Sequence, residues 1–158
     1  MNTTSARRGF TLVEILIVVA IIATLASVAL VGLGPVQRSG RDTRRISDLR
    51  QIQNGVELYF AKCGYYPGSA VSGVDSCTGF TVVDYDGMAT ALTQSELGIS
   101  KIPNDPQSGK AYRYGSTNGS TYVLGATLEN AGSSQLRDDV DGTVEGVDCE
   151  DPVYCVQL

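Results

Sequence analysis

Between Phe10 and Val36 the chain carries a single ionisable side chain, Glu14, at the head of an apolar run from Ile15 to Val31. At about 1.5 Å per helical residue, that run is long enough to enter a bilayer. Ionised side chains at mid-bilayer cost about 2.5–3.5 kcal/mol on insertion scales, so a carboxylate kept there needs a compensating cation or donor. The basic pair Arg7-Arg8 precedes the run. Positive flanks stay cytoplasmic, which places the C-terminal part outside. Glu14 is therefore the first candidate for a chemical role.

Two further groups of residues have chemistry to offer. Four cysteines stand at 63, 77, 149 and 155, all on the expected outer side. They allow three pairings, of which Cys63–Cys77 and Cys149–Cys155 close short loops and are favoured. Each such staple contributes on the order of 2–3 kcal/mol by restricting the unfolded chain, a useful addition to a small core. The acidic stretch Asp138–Asp151 is the second group. Asp139, Asp141 and Asp148, with a turn at Gly142, are candidate ligands for calcium, which takes six to eight oxygens. No closing Glu stands at EF-hand spacing, and a solvated acidic loop is the competing reading.

The chain contains no histidine, so the usual general base is missing. There is also no CxxC pair for zinc and no phosphate-cradling glycine loop after a strand. The chain is not expected to be an enzyme, and no cofactor beyond a possible calcium ion is implied. Net charge is −5, with 12 basic and 17 acidic residues. The balance turns more acidic if Arg7 and Arg8 are removed. That argues against nucleic-acid binding, which needs a basic footprint.

The stretch Gly9-Phe10-Thr11-Leu12-Val13-Glu14, behind a basic leader and ahead of an apolar run, resembles the processing signal of type IV pilins and type II secretion pseudopilins. The resemblance is strong over residues 5–62. It implies that a prepilin peptidase cuts between Gly9 and Phe10, that Phe10 becomes N-methylated, and that Glu14 lies fifth in the mature chain. The new amine on Phe10 then neutralises Glu14. Between subunits, this pair sets register during assembly, as one buried polar group does in a coiled coil. An ordinary secretory signal would place its cleavage site after the apolar core. That reading, like a plain anchor, leaves Glu14 unexplained.

The expected organisation is a leader at 1–9, a membrane and filament-core helix at 10–36, and an amphipathic helix with an extracellular head at 37–158. The fold class is α+β, with a long N-terminal helix packed on a small antiparallel sheet. Gly32-Leu33-Gly34-Pro35 should kink or locally unwind the helix. Beyond it, Ile46, Leu49, Ile52, Val56, Tyr59 and Phe60 recur at helical spacing. Arg38, Arg41, Arg44, Arg45 and Arg50 read either as contacts to lipid headgroups and acidic neighbours or as a solvated face with local ion pairs. In the head, Phe80–Val83 is a candidate strand and Met88–Leu97 a helix stopped by Gly98. Segments 109–115 and 120–128 alternate as strands around an Asn118-Gly119 turn, with Tyr122, Leu124, Ala126 and Leu128 on one face. The Pro103–Leu128 region is similar to pseudopilins.

The resemblance implies a structural subunit that waits in the cytoplasmic membrane. An assembly ATPase and a platform protein then extract it into a homopolymeric filament. Its partners would be further copies of itself, membrane lipid and the prepilin peptidase. A type IV pilus for adhesion, motility or DNA uptake is the leading expectation, and a type II secretion pseudopilus that drives protein export is the alternative. From a different class, a monomeric membrane-anchored binding domain remains, distinguished by whether Glu14→Ala abolishes assembly.

Overall fold

The computed structural model describes residues 9–68, Cys77 and residues 84–158, without side-chain placement for 28–32. The leader as far as Arg8 and the candidate strand Phe80–Val83 lie outside these residues. The chain divides into two compact units, Met1–Gln37 and Arg38–Leu158. Helix α1, Leu12–Cys63, supplies residues to both.

In the first unit α1 is apolar on every side. Leu12, Val13, Ile15, Leu16, Ile17, Val18, Val19, Ile21, Ile22 and Leu25 are all exposed. A helix apolar all round belongs inside something, whether lipid or other helices. Among the described residues no helix is long and apolar enough to cross a membrane. The apolar sequence continues to Val31. The helix is not unwound at Gly32–Pro35: it continues through Pro35. Proline removes one N–H and crowds one carbonyl. That penalty is local to one turn of a 52-residue helix.

The second unit is built on the amphipathic half of α1. Leu49, Ile52, Val56 and Tyr59 are essentially inaccessible. They cluster with Met88, Ala91 and Leu92 of helix α2, Tyr85–Gln94, and with Leu124 and Ala126 of the sheet. Phe60 departs from the expected stripe: it is exposed and stacks on Tyr66, ring centroids 4.6 Å apart. Helix α2 begins earlier than residue 88 because the Asp84 side chain caps it, accepting the Gly87 N–H at 2.9 Å. It ends at Gln94, before the positive-φ residues Glu96 and Gly98.

Strands β1 (Arg113–Gly115), β2 (Val123–Thr127) and β5 (Val153–Gln157) form an antiparallel sheet in the order β1-β2-β5. Register pairs Gly115 with Val123 and Gly125 with Cys155. The β1–β2 connection therefore spans 116–122, rather than a two-residue turn at Asn118-Gly119. Ser116 Oγ donates to the Thr121 carbonyl at 2.8 Å inside it. Tyr122, Leu124, Ala126 and Leu128 do face the main core. The other face is covered as well: Val123, Val153 and Cys155 pack with Val147 of a small hairpin and with Cys149 just after it. That hairpin comprises β3 (Thr143–Val144) and β4 (Val147–Asp148).

Candidate assembly and cation sites

The amino end of α1 is closed by a reciprocal cap. The Thr11 hydroxyl accepts the Glu14 backbone N–H at 3.2 Å. Glu14 Oε2 accepts both the Thr11 N–H at 2.9 Å and its hydroxyl at 2.8 Å. This is a capping box, in which two otherwise unpaired donors are satisfied by side chains three residues apart. Both bonds end on one oxygen of Glu14, and no hydrogen bond to Oε1 occurs among the described residues. Phe10 is 83% exposed, and Gly9 has open space around its Cα. Thr11 is hydrogen-bonded to Glu14, a partner that the apolar run and its lone charge do not single out. The signal that finds it is Thr-x-x-Glu, a recognisable cap pattern.

The basic residues of α1 are not all alike. Arg45 has no exposed side-chain surface. Its fork grips Asp105 through Nε at 2.7 Å and Nη2 at 2.9 Å, and Nη1 reaches Asp42 at 2.8 Å and Glu129 at 2.9 Å. Arg41 holds Glu129 through two bonds of 2.6 Å. Asp42 in turn accepts the Glu129 and Asn130 N–H groups. A solvated face does not describe Arg45, whereas Arg41 stays about one-third exposed and Arg44, 63% exposed, makes the local i,i+4 pair with Asp48. Arg41 and Arg45 join α1 to the Asp105 turn and to the end of β2. The Arg41 fork, reinforced by Arg45, holds the Glu129 carboxyl down to about 2. Burial pushes Asp105 up, but the Arg45 fork and the Gln107 N–H outweigh it, and the net direction is down. Bidentate pairing of this kind combines charge with fixed geometry.

The acidic tail converges on one point. Carboxylate oxygens of Asp139, Asp141 and Asp151 all lie within 4.8 Å of one another. Asp148 is not in this set. Its strand position turns it away, so that its carboxylate accepts the Glu150 N–H and its carbonyl accepts from Arg113. Asp151 takes its place because the turn before β5 folds back beside Asp139, a contact no spacing rule announces. Asp139 Oδ2 accepts the Cys155 N–H at 2.8 Å. Its Oδ1 is shielded from solvent and has no hydrogen-bond partner among the described residues. Burial raises the Asp139 pKa; the Cys155 N–H opposes this, and the charges of Asp141 and Asp151 add to it.

Two disulfides flank these features. Cys63 at the end of α1 is bonded to Cys77, and Cys149 after β4 is bonded to Cys155 in β5, with Cα–Cα distances of 5.7 and 5.8 Å.

Comparison with known proteins gives two matches. The family description "Prokaryotic N-terminal methylation motif" matches residues 4–30, which contain Gly9, Phe10, Thr11 and Glu14. The type II secretion system core protein G of Escherichia coli (strain K12) is 33% identical over 106 residues, covering 67% of this chain and 70% of that protein. A match of that length exceeds the 52 residues of α1, so it extends into the head. No solved structure matches.

Proposed function

This chain belongs to the type IV pilin and type II secretion pseudopilin family, and we propose that it is a filament subunit of the secretion, or pseudopilus, type. Membership implies a structural subunit that prepilin peptidase processes, that the inner membrane anchors, and that then assembles into a filament. The observation that carries the finer reading is the identity to core protein G, which runs beyond the processing motif into the head.

The mechanism rests on Glu14. Cleavage between Gly9 and Phe10 creates a cationic amine, which is then N-methylated, one helical turn before Glu14. Glu14 Oε2 is held by Thr11. Its Oε1 remains to accept the Phe10 amine of a neighbouring subunit. Thr11 thus shields the carboxylate while the subunit waits in lipid, and the intersubunit pair forms without dismantling the cap. In a low-dielectric surrounding that pair is far stronger than in water, so an out-of-register neighbour is penalised. As the subunit leaves the bilayer, the exposed apolar residues of α1 exchange lipid for neighbouring helices. An assembly ATPase and a platform protein would drive this extraction.

Asp139, Asp141 and Asp151 are proposed to hold calcium. Two oxygens each about 2.4 Å from one ion stand at most about 4.8 Å apart, and the three carboxylates meet that limit. The shielded Oδ1 of Asp139, without a hydrogen-bond partner among the described residues, fits the same role. A bound cation would supply the positive charge that three adjacent carboxylates lack.

A surface pilus is the second reading. It is favoured by the disulfide-closed loop at 149–155, whose Glu150 and Asp151 are exposed. Shearing cells and measuring intact mass and the N-terminus of the released and retained protein separates the two. A chain starting at N-methylated Phe10 that stays with the membranes supports the pseudopilus. The same chain in the sheared fraction supports the pilus. A chain that still begins in the leader removes both.

A further inference from the structure

We propose that the open cleft lined by Arg38 and Lys110 binds the phosphodiester headgroup of an anionic phospholipid in the outer leaflet, while the subunit waits to be extracted. The inference rests on the membrane-anchored reading given above and adds a specific lipid contact to it.

The cleft has a volume of about 290 Å³ and lies within the second unit. Its lining is rich in hydrogen-bond donors. Arg38 and Lys110 are exposed, and neither side chain has an ion-pair or hydrogen-bond partner among the described residues. The same holds for the Thr127 hydroxyl. Gln107 turns its amide oxygen to Arg45 Nη2 at 3.3 Å, which leaves its Nε2 donor for the cleft. Lys110 is placed by a short turn. Its N–H donates to the Gln107 carbonyl at 3.2 Å, and the Gln107 N–H donates to Asp105 Oδ1 at 2.8 Å. The carboxylate that Arg45 grips therefore also positions the turn that carries Lys110.

One carboxylate, Glu129, also lines the cleft. Both its oxygens are occupied: Oε1 accepts from Arg41 Nε and Arg45 Nη1, and Oε2 accepts from Arg41 Nη2. Behind it, Asp42 and Asp105 pair with Arg45. Arg38, Arg41, Arg45 and Lys110 thus stand against Asp42, Asp105 and Glu129, four cations to three carboxylates. The positive charge left over matches a phosphodiester, which is singly negative. Arg45 is held in place by its carboxylates, so Arg38 and Lys110 supply the charged donors that an anion would meet. Position in the sequence favours a lipid as the source of that anion. Arg38 is the first charged residue after the apolar stretch that ends at Val36. Long basic side chains at the end of a membrane helix reach for the headgroups. Near an anionic surface each one contributes about fivefold in affinity.

The test uses the full chain in nanodiscs of equal parts phosphatidylglycerol and phosphatidylcholine, and mass spectrometry of the released intact protein counts the lipids it retains. The native chain should retain phosphatidylglycerol in preference to phosphatidylcholine. Arg38→Gln and Lys110→Gln should each lower that retention about fivefold. Both variants should fold, since the two side chains are exposed. Arg44→Gln, on the same helix but outside the cleft, should leave retention unchanged. An equal loss in Arg44→Gln would mean diffuse attraction to a basic helix and would overturn the site, as would the absence of any lipid preference. Inorganic phosphate, compared with sodium chloride at equal ionic strength, separates the two sources of the same chemistry. If phosphate displaces the retained lipid and chloride does not, the cleft takes a free anion and the lipid assignment is wrong. Unchanged retention in Lys110→Gln together with a lower filament yield would give the cleft to a neighbouring subunit instead. A chain that does not enter nanodiscs removes the membrane reading itself, whereas one that enters without lipid preference removes only the headgroup site.

Discussion

Replacing Arg45 with Met should cost the head about 3–5 kcal/mol at neutral pH, the range for breaking a buried ion pair from one side. The structure shows where that cost falls. Glu129 keeps both bonds from Arg41, and Asp42 keeps the Glu129 and Asn130 N–H groups. Asp105, only 2% exposed, retains the Gln107 N–H alone. The penalty is therefore mostly one carboxylate left charged in the interior. Adding Asp105→Asn should recover more than half of it, since a neutral amide costs less to bury. The sign of the pH dependence should also change. In the native protein Glu129 and Asp105 are held below their unfolded values. Their stabilisation is present above about pH 4–5 and is lost as pH falls through the folded values, near 2 for Glu129. In Arg45→Met, Asp105 has lost the cation that lowered it, so burial leaves its pKa raised. That carboxylate then destabilises at neutral pH, and the deficit shrinks as acid protonates it. Urea unfolding followed by tyrosine circular dichroism between pH 7 and 4 measures this. A variant that loses under 1 kcal/mol, or whose deficit does not shrink on acidification, refutes the assignment of Arg45 and Asp105 as a buried pair.

Gly115→Ala should destabilise by about 1–3 kcal/mol, the usual cost of overpacking. Its Cβ would fall on the Glu145 carbonyl oxygen and 2.9 Å from Val147 Cγ2; unchanged urea unfolding would show that the hairpin can move aside freely. Thr11→Val keeps the shape of the side chain but removes the hydroxyl shared with Glu14. Filament yield, measured on immunoblots of isolated filaments, should fall between native and Glu14→Ala levels, with Thr11→Ser close to native. A native yield from Thr11→Val would mean that Glu14 needs no partner while it waits.

The elements carried by local pattern are legible in the amino-acid sequence alone. The apolar run, the Leu49–Tyr59 stripe and the inward face of 122–128 follow from helical and strand periodicity, which the backbone imposes residue by residue. The Gly9–Glu14 motif is likewise contiguous, so its resemblance is visible directly. Three features depend instead on parts of the chain that are distant in sequence. Arg45 is indistinguishable in sequence from its basic neighbours, yet it is buried because Asp105 and Glu129, far along the chain, fold onto it. Asp151 rather than Asp148 joins Asp139 because the turn before β5 returns there. Strand β5 has no marked alternation, and it exists because β2 offers it an edge. Periodicity reports which face of an element is apolar. It does not report which distant carboxylate, strand or turn will meet that face, because long-range packing sets those contacts, and packing depends on the whole fold.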